Sequence, residues 1–462
     1  MDEAFRRSEK QTIEEWITLA HVCRRWRTVV FQSPSRLNLR LVYTPESRNI
    51  DIDIWPPLPL IIHDRYLRCT TPCVGDFTGA LEHNDRVCQI KLKILTTLQF
   101  DYITNSVAMQ KPFPELTHLE FDCRGRDLGR ESMLPDSFLG GTTSRLRSID
   151  LHRVPFPGLP KLLLSATHLV HLTLSDIPPS GYIPPEAMAS SLSALAGLEL
   201  LCLRFQYPRP RPALESRRPP LPPLTRSILP SLTKLRFKGA SEYLEEILVR
   251  IDVPRLDKLH ITFFNQIIFD TPQLFQFISR TPTLRAPKEG HIAFTSKAIF
   301  VRFPSQTSEY GVFSVQIQCR ASDWQLSSLE QVCTSHLPHL SALEDLYILE
   351  VTYWPINWRE DVENTLWLEL LHPFSTVKNL YLCEEFMPRI APALQELVGG
   401  RTTEVLPTLE NIFLEGFQPS GPLHEGIERF VAARRLTSHP VAVSRWDKYS
   451  KLEKWRHEID GW

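Results

Sequence analysis

The 462 residues carry 52 Lys and Arg against 53 Asp and Glu, a net charge of −1, with 42% hydrophobic and 23% charged residues. This is the composition of a folded globular chain, and the near-zero charge supplies no global field for nucleic acid or an anionic membrane, so such binding would need a local patch. No apolar run of about 18 residues is present, the start MDEAFRRSEKQTIEEW lacks an apolar signal-peptide core, and the nine cysteines are odd in number and scattered. The expectation is a soluble chain in a reducing compartment, cytoplasmic or nuclear.

Residues 14–31, EEWITLAHVCRRWRTVVF, place Leu19, Val22, Cys23, Trp26, Val29 and Val30 at helical spacing. Periodicity alone makes Trp26 and its neighbours core-packing residues. The helix should stop at Ser33-Pro34, because the residue before a proline is pushed out of helical angles. After it, RLNLRLVYT alternates Leu37, Leu39 and Leu41 as a strand, and WPPLPLII (55–62) reads as a second extended piece.

From there one apolar spacing, at positions one, four and six, recurs along the chain. It appears as Val87/Ile90/Leu92, Leu116/Leu119/Phe121, Leu146/Ile149/Leu151, Leu169/Leu172/Leu174 and Leu198/Leu201/Leu203. It continues as Leu232/Leu235/Phe237, Leu256/Leu259/Ile261, Val312/Val315/Ile317, Leu343/Leu346/Ile348, Val377/Leu380/Leu382 and Leu409/Ile412/Leu414. Successive starts are 29, 30, 23, 29, 34, 24, 56, 31, 34 and 32 residues apart, and Leu284 in TPTLRAP divides the 56-residue gap as a degenerate unit. The last two apolar positions alternate as in a strand, and periods near ~29 residues lie at the long end of leucine-rich repeats. Helical patterns fall between the strands at 241–251, 272–279, 324–333, 361–371, 389–398 and 426–436. The predicted fold is α/β, an irregular leucine-rich-repeat solenoid of parallel strands and helices. Its irregularity is expected because the position eight residues after the first apolar one holds no Asn ladder to satisfy the turns. The predicted boundaries are a helical segment at 1–36, linking strands and an N-terminal cap at 37–86, the array at 87–436 and a C-terminal tail or capping helix at 437–462.

Two segments interrupt or end the array. RFQYPRPRPALESRRPPLPPLTR cannot hold a helix or central strand, so 205–226 reads as an extended loop inside one repeat. The tail spaces Trp446, Tyr449, Leu452, Trp455 and Ile459 as a helix that caps the last repeat, or as a free amphipathic helix for a partner.

Chemistry-bearing patterns are sparse. Cys333, His336 and His339 lack a fourth ligand, Cys69 and Cys73 lack a second pair, and His168 and His171 read as surface residues. No nucleophile elbow, phosphate-binding glycine loop or His-Glu-x-x-His helix occurs, so neither an enzyme nor a cofactor nor a metal is expected. What remains is the outward face of the strands. Its middle part collects Arg204, Lys234, Arg236, Lys238, Lys258 and His260, and its later part Tyr347, Asn379, Tyr381, Asn411 and Phe413. This is a candidate binding face, basic then aromatic, for a negatively charged protein segment.

The run LAHVCRRWRTVVFQSPSRLNLRL resembles the C-terminal half of an F-box, a Leu-x-x-Val-Cys-x-x-Trp helix followed by a Ser-Pro turn. With DIWPPLPLII, MQKPFPELTHLEF, FISRTPTL, SSLEQVCTSHLP and LQELVGGRTTEVLPTLENIFLEG, the chain is similar over nearly its whole length to the F-box and leucine-rich-repeat proteins of mushroom-forming fungi. It departs in lacking the Leu-Pro-x-Glu opening of an F-box, so the module is partial. The resemblance implies a substrate receptor of a Skp-cullin-F-box ubiquitin ligase. Leu19, Val22, Cys23, Trp26 and Val29 would then contact the Skp-type adaptor or support the contact, and the array would hold a protein substrate. The alternative is a repeat scaffold that binds proteins without ligase coupling.

Overall fold

The computed structural model describes residues 23–32, 40–44, 52, 58–63, 75–94, 96–123, 133–206, 226–266, 269–285, 287–304, 311–319, 322–334, 340, 342–351, 364–399, 401–416 and 424–447. The chain divides into two compact units, Met1–Tyr207 and Pro208–Trp462. The division falls in the Pro/Arg tract, most of which, 207–225, lies outside the described residues.

In the first unit, helix α1 (Arg24–Gln32) precedes seven strands: β1 (Leu41–Tyr43), β2 (Leu60–His63), β3 (Val87–Ile94), β4 (His118–Cys123), β5 (Ser148–His152), β6 (His171–Ile177) and β7 (Leu200–Phe205). Each pairs in parallel with the next. Parallel neighbours need a return crossing. After β2 these crossings include short helices, α2 (Gly75–Glu82), α3 (Thr97–Thr104), α4 (Leu159–Ser165) and α5 (Pro185–Leu192), or 3-10 turns. The sequence pattern misses all four, because seven or eight residues hold barely two helical turns.

The second unit opens with β8 (Ser227–Ile228), β9 (Lys234–Gly239), β10 (Ile251–Asp252) and β11 (Lys258–Phe263). It continues through β12 (Glu289–Phe294), β13 (Ala298–Pro304), β14 (Val312–Gln318), β15 (Asp345–Glu350), β16 (Asn379–Leu382), β17 (Asn411–Glu415) and β18 (Ala442–Trp446). Its helices are α6 (Ser241–Leu248), α7 (Pro272–Arg280), α8 (Ser322–Thr334), α9 (Asn364–Leu371), α10 (Met387–Glu396) and α11 (Glu425–Leu436), at the six places where helical spacing predicts them. The strand order from β9 is β9-β11-β14-β13-β12-β15-β16-β17-β18, with β8 and β10 as a separate small pair. Every pair is parallel except the two that β13 makes. Both units are therefore mixed α/β with a mostly parallel sheet.

All residues of the eleven one-four-six triplets are buried, and the fourth and sixth positions of each lie in a strand. Alternation sends them to one face of the sheet, where helices cover them. Phe237 of β9 stacks on Tyr243 of α6 at 6.0 Å, and Phe294 of β12 meets Trp367 of α9 at 5.9 Å. Each such buried side chain contributes about 1.5–3 kcal/mol. Gly426, at the start of α11, lies so near α10 that a Cβ there would sit 2.5 Å from the Ala391 carbonyl oxygen.

At two of the strands, a threonine immediately before the first apolar position donates its hydroxyl to the carbonyl of the first apolar residue one strand earlier. Thr376 Oγ1 does so to Leu343 O at 3.0 Å and Thr408 Oγ1 to Val377 O at 3.1 Å, and Thr283 bonds the Leu256 carbonyl. These bonds satisfy turn carbonyls that would otherwise lack partners.

Two expectations are corrected. The 56-residue gap does not split into one extra unit at Leu284, which ends a 3-10 turn (Pro282–Leu284). Instead β12 and β13 form an antiparallel hairpin, closed by Thr295 N–H to Ala298 O at 2.9 Å, with the Thr295 hydroxyl bonding the same carbonyl. Both strands are apolar and alternating, so they pair directly and insert β13 between β12 and β14. The tail is also different at its start: Trp446 ends strand β18, which adds to β17, while 448–462, with Tyr449, Leu452, Trp455 and Ile459, lie outside the described residues. Residues 442–446 extend because they continue the ladder at Ala442 N–H to Glu410 O, 2.8 Å. No helix among the described residues is long and apolar enough to cross a membrane.

Candidate protein-interaction face

The register of the second unit lines up one outward residue per strand. Arg236, His260, Ser314, Arg302, His291, Tyr347, Tyr381 and Phe413 are successive Cα partners across β9, β11, β14, β13, β12, β15, β16 and β17. A second register row holds Lys234, Lys258 and Val312, with Pro304 opposite Val312 on the antiparallel β13, and beyond the hairpin a matching row holds Glu289, Asp345, Asn379 and Asn411. The basic and aromatic residues predicted from spacing, Arg204 excepted, thus share one sheet face of the second unit.

The basic end is built around an imidazole. His260 Nδ1 lies 2.7 Å from Ser314 Oγ. Burial first, then Arg236, Lys258 and Arg302, push its pKa down to about 3, so it is neutral at physiological pH. Arg236 is exposed, and Lys234 and Lys258 are half-buried. Lys238 sets its ammonium 5.8 Å from the centre of the Phe264 ring, a weak cation–π contact.

The aromatic end is a stack. Ring centroids are 4.7 Å apart from His291 to Tyr347, 4.1 Å from Tyr347 to Tyr381 and 4.5 Å from Tyr381 to Phe413, with interplanar angles of 17°, 10° and 8°. Stacking along the strand-to-strand direction engages both faces of Tyr347 and Tyr381 and one face each of His291 and Phe413. Trp446 lies edge-on to Tyr347 and Tyr381, at 5.8 and 5.5 Å, and donates Nε1–H to Leu382 O at 3.1 Å. Tyr347 is only 5% exposed and packs with the fully buried Ala293 and Leu349. It is therefore a supporting residue of the face rather than the surface contact that spacing predicts, because Trp446 and the neighbouring rings cover it. Burial raises the pKa of both tyrosines, whose hydroxyls bond each other. Beside the stack, Asn411 Nδ2 donates to Asn379 Oδ1 at 2.8 Å, and Asn379 Nδ2 donates to Asp345 Oδ1 at 2.7 Å. These amides, predicted as contacts, also serve to hold neighbouring strands together.

Sequence spacing misses Arg302 and His291, which stand on the hairpin that lacks the one-four-six pattern; the alternation AIFVRF was the available signal. Ser314 follows from the spacing but is not distinctive by residue type.

The first unit presents a different face. Lys91, Glu120, Asp150 and Thr173 form one row, and Lys93, Asp122, His152 and Ser175 the next. His152 stands between two carboxylates, with Nδ1 3.2 Å from Asp122 Oδ1 and Nε2 3.3 Å from Asp176 Oδ2. Burial, then the Glu120 charge, pushes Asp150 up to about 6. Burial, then Lys91, lowers His118. Arg204, predicted with the basic group, is a half-buried residue of β7 in this unit. The acidic positions were legible as the alternates of HLEFDC and SIDLH.

Of the predicted adaptor residues, Leu19 and Val22 lie outside the described residues. Cys23 is exposed and its Sγ accepts the Trp26 N–H at 3.4 Å. Trp26 and Val29 are 51% and 56% exposed, which overturns the expectation that Trp26 packs in a core: a helix of nine residues buries too little of its circumference to hide both. Cys333 is buried in α8 with its thiol pushed up to about 12 by burial, while His336, His339, Cys69 and Cys73 lie outside the described residues. His168 and His171 are exposed, as expected. Among the described residues, Cys383, Glu385 and Glu415 bring three possible metal ligands within 4.8 Å of one another. A structural zinc needs four, and Glu415 already accepts the Glu384 N–H at 3.3 Å. No protein-family model matches this sequence, and no curated protein matches it.

Proposed function

We propose that this chain is a non-enzymatic protein-recognition module, built as an irregular leucine-rich-repeat solenoid, that acts as substrate receptor of a Skp-cullin-F-box ubiquitin ligase. The observation that carries the recognition reading is the continuous outward row from Arg236 to Phe413 across eight neighbouring strands. A face about eight strands wide spans roughly 34 Å at 4.8 Å per strand step, enough for a segment of some ten extended residues. Its basic start favours an acidic stretch, and its mechanism is proximity: the partner is held near a ubiquitin-carrying enzyme, and this chain performs no bond chemistry. Ligase coupling is supported by the F-box resemblance and by Trp26 and Val29, large apolar side chains exposed on α1. The fungal family, the cytoplasmic or nuclear location and the lack of a cofactor belong to the same reading.

The second reading, a binding scaffold without ligase coupling, is separated by one experiment. Wild-type chain should retain a purified Skp-type adaptor in a pulldown, and Trp26→Ala and Val22→Asp should each reduce retention at least tenfold. Equal retention by all three would remove the ligase assignment and leave the scaffold. Joint reversal of Lys234, Arg236 and Lys258 to Glu should abolish partner capture with adaptor retention intact; unchanged capture would refute the face.

A further inference from the structure

Two series run across the aromatic end of the face, and both stop at β17. In one, the rings of His291, Tyr347, Tyr381 and Phe413 stack from strand to strand, the last pair 4.5 Å apart and 8° from parallel. In the other, Asn411 donates to Asn379 and Asn379 donates to Asp345. A carboxylate only accepts, so Asp345 fixes the direction of this second series. Asn411 Oδ1 is left as its terminal acceptor, with no donor among the described residues. The edge strand β18 continues neither series. It sets Ala442 beside Asn411 and Ser444 beside Phe413; the first has no side-chain donor and the second no ring. The second face of Phe413 thus meets no ring among the described residues, and the slot it bounds above Ser444 is one strand step, about 4.8 Å, wide. Ala442 is exposed and Ser444 half-buried, so the slot opens to solvent. We propose that this slot takes an arginine side chain of the bound protein partner, its guanidinium stacked on Phe413 and donating to Asn411 Oδ1 and the Ser444 hydroxyl. This rests on the recognition reading and specifies the partner's chemistry at the end of the face away from Arg236.

Three observations favour this occupant. A guanidinium is planar and enters a gap of one strand step as the fifth member of the stack, whereas an ammonium is a compact point charge that covers little of a ring face. The slot also offers oxygens, Asn411 Oδ1 and Ser444 Oγ, to a group that carries only N–H donors. A phenyl ring would fill the same space and leave the Asn411 acceptor unused. The charge agrees. On β12, β15, β16, β17 and β18 the outward positions hold Glu289, Asp345 and Glu415 but no Lys or Arg, and Glu289 is shared with His291. A cationic side chain is therefore favoured here and disfavoured beside Arg236 and Lys258, which gives the bound segment a direction along the face.

The test titrates the full chain, at pH 7 and constant ionic strength, with acetylated and amidated tripeptides of sequence Gly-Arg-Gly, Gly-Lys-Gly and Gly-Phe-Gly. Affinity is read by isothermal titration calorimetry. Location is read from the Phe413 ring signal in protein carrying isotope-labelled phenylalanine, assigned by its loss in Phe413→Leu. The arginine peptide should bind saturably, shift the Phe413 signal and bind at least fivefold more tightly than either of the others. Phe413→Leu should weaken it at least fivefold. Ser444→Phe, which puts a ring of the chain's own into the slot at an edge strand, should abolish binding with an unchanged circular dichroism spectrum. Equal binding of the lysine peptide would reduce the site to charge attraction, and equal binding of the phenylalanine peptide would make it an aromatic pocket. Either result, no saturable arginine binding, or arginine binding that survives Ser444→Phe would overturn the proposal. If it falls while charge reversal of Lys234, Arg236 and Lys258 still abolishes partner capture, the recognition face stands without the arginine slot.

Discussion

The two units use the same apolar spacing to build opposite surfaces. In the first, the outward rows carry Glu120, Asp122 and Asp150, with His152 between Asp122 and Asp176. In the second, they begin with Lys234, Arg236 and Lys258 and pass into stacked rings and paired amides. Strand alternation explains how this is possible. The inward residues must be apolar because helices close over them, whereas the outward residues answer only to their cross-strand neighbours. A face can therefore change sign without disturbing the core, and the core pattern carries no information about what the face binds.

The sharpest way to break the comparison acts behind the second face. Arg434 of α11 is fully buried, donates Nη1–H to Pro407 O at 3.3 Å and bonds the Leu406 carbonyl. Arg434→Met should cost about 2 kcal/mol by leaving the Pro407 carbonyl without this donor, while the Leu406 carbonyl keeps the Leu409 N–H at 3.1 Å. Hydrogen exchange read by mass spectrometry should lose protection around 401–446 and keep it across 87–205; equal loss in both regions would mean that the units unfold as one.

An effect of similar size separates the faces by pH. Asp150 is raised from an ordinary 3.8 to about 6, so between those values the folded state binds a proton that the unfolded chain releases. Its contribution to stability is then full below pH ~4 and is lost as pH rises through about 6, by about 2 kcal/mol after allowance for solvent screening. Urea unfolding of Asp150→Asn should lack that part of the slope. Glu245, raised to about 7 by burial, adds a slope of the same sign, so the wild-type-minus-variant difference is the quantity to read. An unchanged slope would mean that the acidic rows are not electrostatically crowded.

The smallest effect tests the aromatic end. A double-mutant cycle replacing Tyr381 and Phe413 by Leu should give a coupling of about 1 kcal/mol. A coupling near zero would make the stack a consequence of strand spacing alone.

Much of the candidate site was legible. Residues two, four and six after each first apolar position face outward, which located Lys234, Arg236, Lys258, Tyr381 and Phe413 correctly. Arg302 and His291 were not legible, since an antiparallel hairpin has no place in a pattern that assumes parallel strands. Tyr347 was legible in position but not in role, because Trp446, a hundred residues later, covers it.

The sequence by itself determined the strands that carry the one-four-six spacing, the longer helices between them and the inward–outward division, all of which follow from local alternation and from which side chains tolerate water. Only the tertiary structure decided the strand order through β13 and the threonine bonds between neighbouring turns. It also decided the exposure of Trp26 and the alignment of Arg236, His260, Ser314 and Arg302 at one register position. Those depend on which distant segments become neighbours, and the free energy of such contacts is written in pairs of positions that no local period relates.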